Sequence, residues 1–321
     1  MSKEDIYILG IESSCDDTAA AILKNDEVLS NCISNQKIHK KYGGVVPELA
    51  SRAHLSNIIP VINQALSDAK VNPKMLSAIS FTKGPGLMGS LLVGTEFSKA
   101  LGLSLGIPFI EVNHMQAHLL VHYIKSDMEK PEFPFLGITV SGGHTQLVIV
   151  EDHLKMQIIG ETLDDAIGEA FDKCGKIIGL DYPAGPEIDN LAKTGDSNKF
   201  DFPIPKVEGF NISYSGTKTA FMNFINNSIQ KDPEFIDKYK ADICASIQKN
   251  LIDNLILKIE YASKMKSINR IVIGGGVSAN SFLKNSLESK SKENNWKLFI
   301  PPLSYTTDNA AMIGIVGYLK Y

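Results

Sequence analysis

Three sets of residues in this chain have types and spacings that could do chemistry. His114 and His118 stand four residues apart. On a helix that puts both imidazoles on one face, at a separation that suits a single metal ion. His122 extends the row, and the interval His114-Met115-Gln116-Ala117-His118 lacks the glutamate that a zinc protease uses as general base. Such a pair needs a third ligand from elsewhere, and carboxylates are the usual source. A second set, Glu12, Asp16 and Asp17, crowds one short polar stretch, in which Glu12 and Asp16 are the candidates for a general base. The third set is glycine-rich: Gly84-Pro-Gly86-Leu-Met-Gly89, Ser141-Gly142-Gly143-His144 and Gly274-Gly275-Gly276. Turns stripped of side chains let phosphate oxygens reach backbone N–H groups at a helix start. The first of these turns also matches the dinucleotide fingerprint, with Glu111 placed for a ribose. Close packing of a helix on a strand would account for the same glycines.

The elements that must position these sets follow from an internal repeat. Leu9 to Ile22 aligns without a gap on Leu136 to Ile149, and Leu, Gly, Ile, Ser, Thr and Ile coincide. Each segment reads as an apolar strand, a polar turn and a second apolar strand, which is a hairpin with a polar tip. Later in each half a strand meets a glycine turn and a helix-like run, at Ala78–Leu101 and again from Arg270. The pattern predicts a duplicated α/β fold of two lobes with a cleft between them, and both tips facing that cleft. The first lobe is expected over 1–124, a charged, proline-bearing linker over 125–134 and the second lobe over 135–302. A mostly helical insertion without counterpart in the first half is expected over about 160–242. A final helix-like segment, 303–321, is expected to pack back on the first lobe. Alanine at either histidine is expected to cost little stability, because a cleft position is not a core position.

Composition narrows the function class. The chain has 321 residues, 44% hydrophobic and 21% charged, which suits a globular protein of two domains. Its net charge of −4 argues against a surface that grips nucleic acid everywhere, and leaves room for one local basic patch at Lys37, Lys40, Lys41 and Arg52. Cys15, Cys32, Cys174 and Cys244 form no CxxC pair, which points to a reducing cytoplasm rather than a disulfide framework. No signal peptide or membrane span is expected.

Taken together the motifs are similar to those of one family, TsaD (Gcp). They are Gly10-Ile-Glu-Ser-Ser-Cys-Asp-Asp-Thr18, Tyr42-Gly-Gly-Val-Val-Pro-Glu-Leu-Ala-Ser-Arg52, Lys83-Gly-Pro-Gly-Leu87, His114-Met-Gln-Ala-His118, Val140-Ser-Gly-Gly-His144, Gly168-Glu-Ala-Phe-Asp-Lys173, Ser213-Tyr-Ser-Gly-Thr-Lys218, Gly275-Gly-Val-Ser-Ala-Asn280 and Thr307-Asp-Asn309. The resemblance implies the duplicated actin/Hsp70-like (ASKHA) ATPase fold. It implies transfer of a threonylcarbamoyl group from threonylcarbamoyl-AMP to N6 of the adenosine 3′-adjacent to the anticodon, in tRNAs that read codons beginning with adenine. It also implies one divalent metal per chain on His114, His118 and Asp308, iron in the family, with zinc or magnesium as alternatives. Val140, Ser141, Gly142, Gly143, His144, Asp172, Gly185, Asp189 and Asn280 would contact the donor or ATP, ADP or AMP in the cleft. The implied partners are TsaB as a heterodimer, the ATPase TsaE, TsaC as maker of the donor, and tRNA. A weak homodimer in isolation is a further expectation. The surface for TsaB, shared by that homodimer, would be a small-residue face at Gly94, Ser98 and Gly102, unless this face packs on its own sheet, or the segment from His54 to Leu66, which Pro60 would interrupt. Thr306 and Ala310 depart from the family pattern without removing a ligand. A sugar or acetate kinase, a nucleotide-gated scaffold and a dinucleotide-dependent dehydrogenase remain the competing readings.

Overall fold

The computed structural model describes residues 5–321, with the side chains of Lys37 and Lys40 outside the description. Half of the basic patch expected at Lys37, Lys40, Lys41 and Arg52 therefore lies outside the described residues. Of the rest, Arg52 is paired with Glu48 at 2.7 Å. The chain forms two compact units: residues up to Pro131 together with Pro301–Tyr321, and Glu132–Ile300.

A strand with no polar alternation needs cover on both faces. In the first unit that strand is β1 (Tyr7–Glu12), buried from Ile8 onward. It pairs antiparallel with β2 (Asp17–Lys24), which pairs with β3 (Glu27–Asn35). After helix α1 (Pro47–Ala69) the chain returns as β4 (Ala78–Gly84), parallel to β1. Helix α2 (Met88–Leu105), edge strand β5 (Phe109–Asn113) and the short helix α3 (His114–Leu120) follow. The sheet order is β3-β2-β1-β4-β5. Leu9, Ile11, Ala20, Ile22, Ile58, Ile62 and Phe81 form the core between this sheet and α1. Pro60 does not interrupt α1. An internal proline costs a helix about 3 kcal/mol, and here the buried row Ala50, His54, Ile58, Ile62 and Ala65 holds the helix through it.

The second unit repeats the plan. Strands β6 (Phe135–Val140), β7 (Thr145–Asp152) and β8 (Lys155–Glu161) form the antiparallel part. Helices α4 (Ile167–Ile177), α5 (Gly185–Ala192), α6 (Ser215–Lys231) and α7 (Phe235–Lys266) follow, before β9 (Arg270–Gly274), α8 (Ser281–Asn294) and β10 (Lys297–Phe299). The order β10-β9-β6-β7-β8 is that of the first sheet, strand for strand. The hairpin registers match as well: Leu9 pairs with Ile22, and Leu136 with Ile149. Asp164 fixes the start of α6 by accepting from Tyr214 N–H at 2.8 Å and from Ser215 Oγ at 2.8 Å, so the Ser213–Lys218 motif is tied into this unit's own frame.

The last helix, α9 (Ala310–Lys320), belongs to the first unit, and every residue from Ala310 to Gly317 is buried. It lies on β1 so closely that a Cβ at Gly10 would overlap the Ala310 carbonyl and stand 2.8 Å from Gly314 N. A Cβ at Gly314 would instead meet the Leu23 side chain. Backbone cannot yield where a leucine can rotate. Gly10→Ala should therefore lower stability by about 2–3 kcal/mol, toward the upper end of overpacking costs, and Gly314→Ala by less. Thermal unfolding of the two variants checks the order.

Candidate metal centre

Asn113 caps α3 by accepting from Gln116 N–H at 3.0 Å, which starts the helix at His114. The helical step then sets His118 on the same face. Across from them the dock of α9 brings in Asp308, immediately before the Asn309 cap that accepts from Met312 N–H at 3.0 Å. His118 Nε2 and His114 Nε2 lie 3.2 and 3.4 Å from Asp308 Oδ1, and 3.2 Å from each other. Three ligands at about 2.1 Å from one ion stand about 3.0–3.4 Å apart at octahedral to tetrahedral angles. The three atoms thus fit one metal ion, and among the described residues this is the group able to hold one.

Both histidines are buried, His118 completely, so neither occupies the open position on which the expectation of little stability loss rests. Asp308 keeps 26% of its side chain exposed and is the accessible member. Glu12 stands behind His114. Its Oε2 takes a hydrogen bond from Thr82 Oγ1 at 2.6 Å and lies 3.0 Å from His114 Nδ1. Its Oε1 accepts from Ser14 N–H at 2.5 Å. Burial opposes ionisation of Glu12, but the charge and hydrogen bond of His114 outweigh it and hold the carboxyl below its usual range. Burial also disfavours charge on His114, yet Asp308 and Glu12 together raise that imidazole well above its ordinary value. Burial, with His114 beside it, lowers His118. Asp308 is held low by His114 and His118 against its own burial. With Nδ1 turned to Glu12, His114 presents Nε2 to the centre, the arrangement in which a carboxylate fixes a metal-binding tautomer. His118 Nδ1 is buried without a protein partner. Asp16 sits on the β1–β2 turn, half-buried beside the Cys15 thiol, which burial and that carboxylate raise. Burial pushes the neighbouring Asp17 up to about 7.

The glycine fingerprint after β4 has a different job. A Cβ at Gly86 would overlap the Ser14 carbonyl, one at Gly89 the Ser51 hydroxyl and one at Gly94 the Ser13 hydroxyl. These glycines admit α2 against the turn and α1, and Glu111 is engaged by Lys83 at 2.8 Å. The small-residue row Ser90, Gly94, Ser98 and Gly102 is buried within the unit, which rules it out as an interface.

In the second unit the other residues expected to meet the substrate lie in two groups, Val140–His144 at the end of β6, and Asp172, Gly185, Asp189 and Asn280 on α4, α5 and the start of α8. Val140 ends β6, and Ser141–His144 turn back into β7, with Ser141 Oγ accepting from His144 N–H at 3.0 Å. A Cβ at Gly142 or Gly143 would meet nothing within 4 Å, so the tip is open on that side, while the Ser141–Gly142 backbone packs against Gly168 of α4. Gly275, at φ +98°, passes so close to the Val140 carbonyl that no side chain fits. Thr139 Oγ1 and Ser278 Oγ are buried there without a protein partner. Asp172 accepts from Ala184 N–H at 2.7 Å and borders Gly185; burial raises its carboxyl despite that bond. Asp189 accepts from Ser281 N–H and Oγ, and Asn280 accepts from Leu283 N–H while donating to Gln248 at 2.8 Å. A pocket of about 320 Å³ opens beside them, lined by Asp189, Lys193, Gln248, Ser281, Phe282 and Asn285. That volume is at the lower end for small-molecule sites.

The TsaD family model, described as tRNA N6-adenosine threonylcarbamoyltransferase, matches residues 27–315. Proteins of that name are similar over nearly the full chain. One from Christiangramia forsetii is 59% identical, covering 100% of this chain and 95% of its own. One from Porphyromonas gingivalis is 51% identical, covering 99% and 94%. Two solved structures share the fold. Full-length HypF in its phosphate- and nucleotide-bound form superposes with a TM-score of 0.64 at 14% identity, over 98% of this chain and 46% of that one. Component A of the Acidaminococcus fermentans (R)-2-hydroxyglutaryl-CoA dehydratase gives 0.56 at 16%, over 98% of both. No helix among the described residues is long and apolar enough to cross a membrane.

Glu12→Gln keeps the side chain's shape and removes the charge facing His114. It should weaken metal affinity by about 10–100-fold, read by competition with a chelator. His118→Ala should lose the metal and, because it opens a buried space, also lower the melting temperature.

Proposed function

Because the chain belongs to the TsaD family of tRNA N6-adenosine threonylcarbamoyltransferases, we propose that it moves a threonylcarbamoyl group from threonylcarbamoyl-AMP to N6 of the adenosine 3′-adjacent to the anticodon. The tRNAs concerned read codons that begin with adenine. The observation that carries this reading is the family match across 27–315 in a chain whose His114, His118 and Asp308 close on one point.

The adenine N6 lone pair is delocalised into the ring, so the nucleophile is weak. The donor compensates with a mixed anhydride. N6 bonds to the carbamoyl carbon, the bond from that carbon to the phosphate oxygen breaks, AMP departs and N6 loses a proton. The protein's share is to align the two reactants and to meet the charge that develops. A divalent ion on His114, His118 and Asp308 would offset negative charge on phosphate or carbonyl oxygen. Two imidazoles and a carboxylate suit iron, with zinc as the nearer alternative and magnesium as the poorer one. The exposed Gly142 and Gly143 of the Ser141–His144 turn would offer backbone N–H groups to the nucleotide. Asp172, Gly185, Asp189 and Asn280 would line the nucleoside end. Glu12 is better suited to hold His114 than to take the N6 proton, since both of its oxygens are engaged. Asp16 is the remaining candidate base.

TsaB, TsaE and the TsaC-made donor are the proposed partners, in the cytoplasm. The test combines the chain with TsaB, TsaE, donor and unmodified tRNA, then digests the tRNA. Threonylcarbamoyladenosine is expected, and its absence overturns the reading. The net charge of −4 further predicts that the isolated chain does not hold tRNA tightly. Binding should need the partners and fall steeply with salt. Nanomolar affinity of the chain alone at physiological salt would contradict that.

A further inference from the structure

His54 lies on α1, is fully buried and takes no part in the histidine pair. Its Nε2 is 3.0 Å from the Cys15 carbonyl oxygen, and its Nδ1 is 2.8 Å from Thr18 Oγ1. A carbonyl oxygen only accepts, so Nε2 carries a proton, and in the neutral ring the Thr18 hydroxyl donates to Nδ1. The ring bridges the β1–β2 turn from Cys15 to Thr18. Burial pushes this imidazole below its ordinary value, which agrees with a neutral ring.

The other side of the turn is held by α2. Ser90 Oγ donates to the same Cys15 carbonyl at 3.1 Å, and Ser13 Oγ donates to the Ser90 carbonyl at 3.0 Å. Leu87 N–H donates to the Ser14 carbonyl at 2.8 Å. Ser14 Oγ in turn stands 3.3 Å from His114 Nδ1, on the nitrogen that Glu12 also faces. A shift of the turn would thus be felt at the ring that offers Nε2 to the metal.

We propose that His54 is a positioning residue, which fixes the Ser13–Asp17 turn so that Ser14 and Glu12 stay aligned on His114. The effect on the turn rests on the geometry alone; the effect on rate rests also on the transferase reading.

The test uses the full chain with leucine or glutamine at this position. His54→Leu fills the space and makes neither bond. His54→Gln returns an amide donor near the place of Nε2. In hydrogen–deuterium exchange, peptides covering Ser13–Ala21 should exchange about 10–100-fold faster in the leucine variant, the size of two lost buried hydrogen bonds. Peptides from the rest of α1 should keep their protection. The glutamine variant should return most of the protection. Zinc affinity of the isolated chain and kcat in the reconstituted transfer should fall and recover in the same order, with KM for tRNA unchanged. Unchanged exchange in the leucine variant overturns the proposal. So does protection lost along all of α1, which would mark His54 as core packing. A loosened turn with full zinc affinity and full kcat also overturns it. If the wild-type chain transfers nothing, the transferase reading falls, while exchange and zinc affinity still decide the role of His54.

Discussion

A backbone-to-backbone contact seats α9 on β1, where Gly10 meets Ala310 and Gly314. Everything at the metal centre depends on it. Glu12 ends the strand beneath that seat, and Asp308 lies two residues before the helix that occupies it. A strand and a helix at ordinary packing distance would leave the carboxylate short of the two imidazoles. With glycine on both surfaces, the distance between aspartate and histidine is set by backbone contact, which has little play. Gly317, whose Cβ would strike Ser80, fixes the same helix over β4.

That rigid frame encloses an unusual density of charge. Two carboxylates and two imidazoles share a site in which Glu12 and His118 are out of contact with water. Buried ionised groups are costly unless each is paired and hydrogen-bonded. Glu12 meets that requirement through Ser14, Thr82 and His114. His118 is instead kept from ionising by its burial, and its Nδ1 has no protein partner. A site that stores this much desolvation around Nε2, Nε2 and Oδ1 gains from a cation at their centre, and the outer ring of Glu12, Ser14 and Thr82 keeps the donors aimed there.

The parts of this molecule legible in the sequence are those written in neighbouring residues. The repeat was visible because the two hairpins keep one register, Leu9 with Ile22 and Leu136 with Ile149. The histidine pair was visible because helical spacing is local. Asp308 came from family resemblance, since nothing near His114 announces a ligand so far along the chain. The glycines of Gly84–Gly89 were ambiguous, because a turn bared for phosphate and one bared for a close helix share a spelling. The Ser13 and Ser14 contacts decide it. Ser90, Gly94, Ser98 and Gly102 repeat every four residues whether they face a partner or their own sheet. Thr82 has no signal in the sequence, and His54 stands out there only as the start of a candidate interface segment. Thr82 reaches Glu12 across 70 positions and His54 reaches Thr18 across 36, and a buried polar side chain looks like a surface one until the fold is known.

The order of ligands along the chain has a consequence for biosynthesis. Glu12, His114 and His118 are all made early, while Asp308 emerges some 190 residues after His118. At ordinary ribosome speeds of about 5–20 residues per second, that is a delay of about 10–40 seconds. Through this interval β1 lacks its α9 cover, and the nascent polypeptide holds two ligands of three. An ion that needs all three side chains would be held only once synthesis has passed Asp308, so a product that terminates early carries the histidines without the aspartate that faces them.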